Sequence, residues 1–144
     1  MTDSHVSEKQ IIQPDDVFDP HTVFGAGSYR QAIRVGDTIY IAGQAAIDLD
    51  GNIVGRGDIA VQANAVMANL MACLRDGGAT PDDVVKVTTY YVDRAHRSVI
   101  AEARHRHLGD AAFVHTGLII DGLADPDLLL EIEAIAVVNR SDGG

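Results

Sequence analysis

Tryptophan is absent from this chain, and Phe, Tyr and Trp together make up only 5% of its 144 residues. Few stacking platforms for single-stranded nucleic acid follow from that. Cysteine occurs once, at Cys73, so an internal disulfide is excluded, and the thiol falls on the apolar side of a predicted helix, where packing accounts for it. Basic residues are scarce: 11 Lys and Arg stand against 21 Asp and Glu, a formal charge of -10. Nucleic-acid binding needs cations to neutralise phosphates, so neither nucleic acid nor an anionic membrane is an expected partner. No apolar run reaches the roughly 20 residues that a bilayer-spanning helix requires. The N-terminus has no basic region followed by an apolar core, so a cytoplasmic setting is expected. What remains is 47% hydrophobic, enough for one domain with a sizeable core.

The strongest signal is Leu128–Val138, an apolar stretch without Gly or Pro that reads as a buried strand. Side chains alternate across a strand, so Leu130, Ile132, Ala134, Ala136 and Val138 form one wholly apolar face. Glu131 and Glu133 share the other face with Leu129, Ile135 and Val137. That mixed face suits a strand lining a pocket or a subunit contact, although glutamate on a strand is most often solvated or ion-paired.

Upstream, residues 1–21 are acidic and carry two prolines and only short apolar patches, which predicts a flexible N-terminal tail. Residues 141–144 form a short C-terminal tail. Tyr29–Val35 and Thr38–Ala42 alternate around Gly36-Asp37, a hairpin whose glycine-first turn suits type II′. Gly43 is expected to end it. Asp58 offers an N-cap to a helix reaching about Arg75, with Ile59, Ala63, Val66, Leu70 and Cys73 as its apolar stripe. Val84–Val92 is rich in β-branched and aromatic residues and reads as a central strand. Asp93 can cap a second helix, about Arg94 to Leu108, and Thr116–Ile120 reads as a short strand. The order is ββαβαββ, an α+β pattern in which two helices cover one face of a single mixed sheet. Apolar residues on both sides of the strands suggest that another subunit buries the second face.

Six histidines invite a metal reading that their spacing does not support. His105 and His107 stand two apart on a helix and point in different directions, and His5, His21 and His96 have no ligand-like companions. No metal is expected. The Arg104-His105-Arg106-His107 run reads as a solvated helix face. Ser28 and Ser98 lack a Gly-x-Ser-x-Gly setting, and neither Gly25-Ala26-Gly27 nor Gly55-Arg56-Gly57 fits a phosphate-cradling loop.

The segments Tyr29–Gly36, Tyr40-Ile41-Ala42-Gly43-Gln44, Gly57-Asp58 with Gln62 and Asn69, Asp83–Thr88 and Glu131–Ala136 resemble, in order, the RidA/YjgF family of reactive-intermediate deaminases. The resemblance covers about Gly27 to Val138 and implies a RidA-like domain over residues 22–140. It implies a chorismate-mutase-like single domain in a homotrimer with pockets between subunits. It also implies cofactor-free hydrolysis of a small enamine or imine to a carbonyl compound and ammonia. Glu131 matches the glutamate that places water, Tyr29 the pocket tyrosine, and Gly43 a position whose main-chain amide lines the pocket. Ala42 stands where many members have serine.

The family's deaminases carry an arginine before the short penultimate strand, and Val114-His115-Thr116-Gly117 aligns there with His115 in its place. Arginine grips a carboxylate bidentately at any physiological pH, whereas an unperturbed histidine is mostly neutral at pH 7. Two readings of His115 follow. As a catalytic partner of Glu131 it holds a carboxylate or shuttles a proton, with Thr116 and Gly117 beside it as substrate contacts; alternatively it is a rim residue of a site that has lost the ancestral activity. The corresponding alternative for the whole chain is a non-catalytic trimer that binds a metabolite or a protein.

Overall fold

The computed structural model describes residues 8–138. Its strands are β1 (Lys9–Ile12), β2 (Ala32–Val35), β3 (Thr38–Gln44), β4 (Val84–Tyr91), β5 (Val114–Ile119) and β6 (Leu130–Val137), and its helices α1 (Pro20–Phe24), α2 (Ile59–Asp76) and α3 (Arg97–Leu108). The strands form one sheet in the order β1-β2-β3-β6-β4-β5. β4 and β5 run parallel, and every other pairing is antiparallel. The sheet is therefore mixed, and the expected ββαβαββ succession forms its body.

Alternation on β6 holds residue by residue. Leu130, Ile132, Ala134, Ala136 and Val138 are buried, and Glu131, Glu133, Ile135 and Val137 are partly exposed. The apolar side packs against α2, whose Ala63, Val66, Leu70 and Cys73 are fully buried. Asp58 caps that helix, its Oδ1 accepting from Val61 N at 3.2 Å. Burial pushes the Cys73 thiol up to about 12, as befits a packing residue. In the β2–β3 turn Gly36 has φ +58° and no non-glycine residue has positive φ, as type II′ requires.

Several boundaries differ from expectation: β2 begins at Ala32 rather than Tyr29, and β5 spans Val114–Ile119 rather than Thr116–Ile120. The flexible tail over residues 1–21 is corrected from Lys9 onward: β1 pairs with β2, and Val17 and Phe18 are buried with Ala45, Ile47, Ala72 and Leu128. Burying two such side chains offsets about 3–6 kcal/mol of ordering cost, and Arg75 holds Asp16 at 2.8 Å. Residues 1–7 and the tail at 141–144 lie outside the described residues. β3 does not end at Gly43 but runs to Gln44, because Ile41 pairs with Ala134 and Gln44 with Ile132, leaving one extra residue on β3 as a bulge. Finally, the second helix begins with a 3-10 turn at Arg94–His96, with Asp93 Oδ1 accepting from Ala95 N at 2.9 Å.

α2 and α3 pack on one side of the sheet and leave the second side open among the described residues. Ile11, Tyr40 and Leu118 lie on it with 55%, 51% and 44% of their surface exposed. That is the face on which Glu131 and Glu133 stand.

Candidate active site

The bulge in β3 places Gly43 against β6. A Cβ built on Gly43 would stand 2.2 Å from Glu131 Oε1, so the carboxyl occupies the space that a side chain would take, and only glycine permits the approach. Burial raises the Glu131 pKa above its ordinary 4.5, and the neighbouring Glu133 charge adds to the rise. Among the described residues no Lys, Arg or His nitrogen lies within 4.0 Å of it. Glu133 is placed differently, accepting from the Tyr90 hydroxyl at 3.3 Å.

Tyr29 is held beside this carboxyl by the segment expected to be a tail. Its ring stacks on Phe24 at 6.0 Å, and Phe24 meets buried Phe18 edge-on at 6.2 Å. Ser28 Oγ donates to Pro20 O at 2.8 Å and so closes the loop between α1 and Tyr29. Partial burial, and then the Glu131 charge, push the Tyr29 phenol above its ordinary 10. At neutral pH it is a donor.

Buried amides brace the surroundings. Gln31 Nε2 donates to Phe18 O at 2.8 Å, and Gln44 Nε2 donates to Gln31 Oε1 at 2.9 Å. Gln62 donates to Gly55 O and Asp127 O and accepts from Leu129 N, tying the start of α2 to the entry of β6. Asn69 Nδ2 holds Ala45 O at 3.1 Å, just past the bulge. Ala42 opens on a groove of about 320 Å³ whose charged members are Arg30 and Glu133.

The expected partnership of His115 with Glu131 is not found. In the sheet Val87 pairs with His115 and Thr88 with Thr116, while Thr88 pairs with Glu133 and Tyr90 with Glu131. Paired residues share a face, so Thr116 and Leu118 stand on the Glu131 side and His115 and Gly117 on the helix side. The contacts agree: His115 Nε2 lies 3.0 Å from Thr89 Oγ1, and a Cβ on Gly117 would meet the His115 ring at 3.2 Å. Burial, and then the Arg104 charge, lower the His115 pKa below 6.5, opposite to the rise that a carboxylate neighbour would give. That direction favours the neutral imidazole. The strand position facing the Glu131 side is thus Thr116, where a hydroxyl and no cation stands.

His115 opens instead on a cleft of about 610 Å³ between α3 and the β4–β5 edge, shared with Arg94, Arg97 and Arg104. Sequence reading missed these arginines and took Arg104 as solvated, although burial lowers its pKa. Their spacing of three and seven, a single helical stripe in a chain with 11 basic residues, was the available signal. Among the described residues no three His, Cys, Asp or Glu side chains gather as metal ligands, and no helix is long and apolar enough to cross a membrane.

Comparison with known proteins agrees with the fold. The family model described as Endoribonuclease L-PSP matches residues 21–138. A RutC family protein of Pyrococcus abyssi is 37% identical over 110 residues, 76% of this chain and 86% of the relative. A 2-iminobutanoate/2-iminopropanoate deaminase of Mus musculus is 29% identical over 111 residues, 77% of this chain and 82% of the relative. The crystal structure of RidA from the Antarctic bacterium Psychrobacter sp. PAMC 21119 superposes with a TM-score of 0.78 at 28% identity, covering 90% of this chain and 99% of that one. With a family model spanning β2 to β6 and the solved RidA sharing the fold, this chain belongs to the YjgF/RidA family.

Proposed function

We propose that the chain is a cofactor-free hydrolase that converts a small imine or enamine to a carbonyl compound and ammonia, with Glu131 as the group that activates water. The observation that carries this reading is the Glu131 carboxyl itself: half-buried, pressed on the glycine of a bulge, without a cation partner among the described residues and raised in pKa. Structural carboxylates are usually paired; a desolvated, unpaired one is poised for proton transfer.

In the proposed reaction, water attacks the carbon of the C=N bond while Glu131 takes its proton, giving a tetrahedral carbinolamine. The same carboxyl returns that proton to nitrogen and then carries the hydroxyl proton of the carbinolamine to nitrogen as well, so that the C–N bond breaks and ammonia leaves as the carbonyl forms. An enamine first takes a proton at carbon to become the imine. The Tyr29 phenol, still protonated, orients the substrate. Ala42 and Gly43 form the wall and Thr116 the rim on the same side of the sheet.

The uncovered face supports a homotrimer in which a neighbouring protomer closes this wall into a pocket. Without a guanidinium at Thr116, substrates whose recognition depends on a carboxylate are disfavoured relative to those bound through polar or apolar groups. Arg30 lines the groove beside Ala42, and Lys86, paired with Ile135, is a second cation on this face. RNA cleavage is a poorer reading, because a charge of -10 opposes phosphate binding.

The test is ammonia release from imines generated in situ by an amino-acid oxidase. The wild type is expected to accelerate release, and Glu131→Gln to lose about 10²–10⁴-fold in kcat with its oligomeric state retained. Equal rates for the two proteins would remove Glu131 from the reaction.

A further inference from the structure

We propose that the cleft between α3 and the β4–β5 edge is a second binding site, separate from the Glu131 pocket, and that its ligand is a small organic phosphate. Three arginines, Arg94, Arg97 and Arg104, line a cleft of about 610 Å³, a size suited to a metabolite. The cleft lining contains no Asp or Glu. Among the described residues none of the three arginines has a carboxylate within 4.0 Å.

That arrangement is unusual for this chain. Acidic residues outnumber basic ones by 21 to 11, and a cationic residue placed for solubility or folding would meet a carboxylate readily. Gathering three cations without a counter-ion costs repulsion, which a bound anion relieves. The charge count favours phosphate over a simple carboxylate. A phosphate monoester brings nearly two negative charges and three acceptor oxygens, enough for more than one guanidinium fork. His115, linked to Thr89 at 3.0 Å, adds an imidazole to the same wall.

The remaining lining fixes the rest of the ligand. Tyr91, Ile100 and Ile119 give the cleft an apolar side, which has no use for an inorganic ion and fits a carbon skeleton.

The experiment titrates the full-length protein with phenyl phosphate, inorganic phosphate and benzoate by calorimetry, and repeats it with Arg97→Gln, Arg104→Gln and Glu131→Gln. Phenyl phosphate is expected to bind more tightly than either of the other two. Either arginine variant should weaken it by about tenfold or more, the loss of one charge-assisted contact. Glu131→Gln should bind it as the wild type does, which separates this site from the proposed catalytic one. Arg97 stands on the exposed first turn of α3, so its variant informs even if Arg104→Gln fails to fold. No binding at millimolar phenyl phosphate, an affinity indifferent to both arginines, or equal binding of benzoate would overturn the proposal. So would tighter, arginine-dependent binding of single-stranded RNA at physiological salt.

Discussion

The two sides of the sheet at its β4–β5–β6 end are built from alternate residues of the same strands and carry opposite chemistry. On the open side Glu131 and Glu133 stand on the face of Thr116, Leu118 and Tyr90, with no cation within 4.0 Å among the described residues. On the helix side His115 and three arginines line a cleft that has no carboxylate among the described residues. A one-residue step along β5 exchanges one environment for the other, because strand side chains alternate strictly. The pKa directions follow: Glu131 rises through burial and a like charge, whereas His115 falls through burial and a neighbouring guanidinium. The proposed acid chemistry and the proposed anion recognition thereby fall on separate surfaces.

The largest expected way to break the acidic side alone is Gly43→Ala. The added methyl would stand 2.2 Å from Glu131 Oε1, and the carboxyl, the flexible end of a side chain, swings away at small cost to stability. Imine turnover should drop by about 100-fold, as misplacing a catalytic group by an ångström does, while phenyl phosphate binding and the thermal midpoint stay near wild type. An unchanged rate would show that the position of the carboxyl is not critical.

A smaller effect concerns stability. The folded-state pKa of Glu131 is raised, so the native state holds a proton that the unfolded chain releases, and stability falls as pH rises through the ordinary carboxylate value toward the raised one. Glu131→Gln removes that loss. The variant should melt higher than wild type at pH 7 and match it once the pH is below the ordinary carboxylate range. The same sign applies to kcat/KM of the wild type, whose acid limb should lie above pH 4.5. A variant less stable at pH 7 would mean that the carboxylate is held by a favourable contact in the assembly.

Much of the framework was legible in the chain. The β6 alternation, the Asp58 cap and the α2 stripe are local patterns, and each is found as read. The docking of residues 9–18 was not legible, because it depends on two short apolar pairs, Ile11-Ile12 and Val17-Phe18, of which Ile12, Val17 and Phe18 find buried seats only when the sheet and α2 exist. Tyr29 owes its place to that docking. The face of His115 was hidden for a related reason. Every residue of Val114–Ile119 is exposed in the protomer, so its pattern carries no inside-outside signal. Its register is set by parallel pairing with β4, 28 residues earlier in the chain at Thr88–Thr116.

The most direct test of this division compares Thr116→Arg with His115→Arg in kcat/KM for 2-iminopropanoate. Arginine at Thr116 joins the Glu131 side and should raise kcat/KM by about ten- to a hundredfold, the worth of one charge-assisted carboxylate contact, whereas arginine at His115 should leave it unchanged. A gain at His115 with none at Thr116 would contradict the account and place substrate in the arginine-lined cleft.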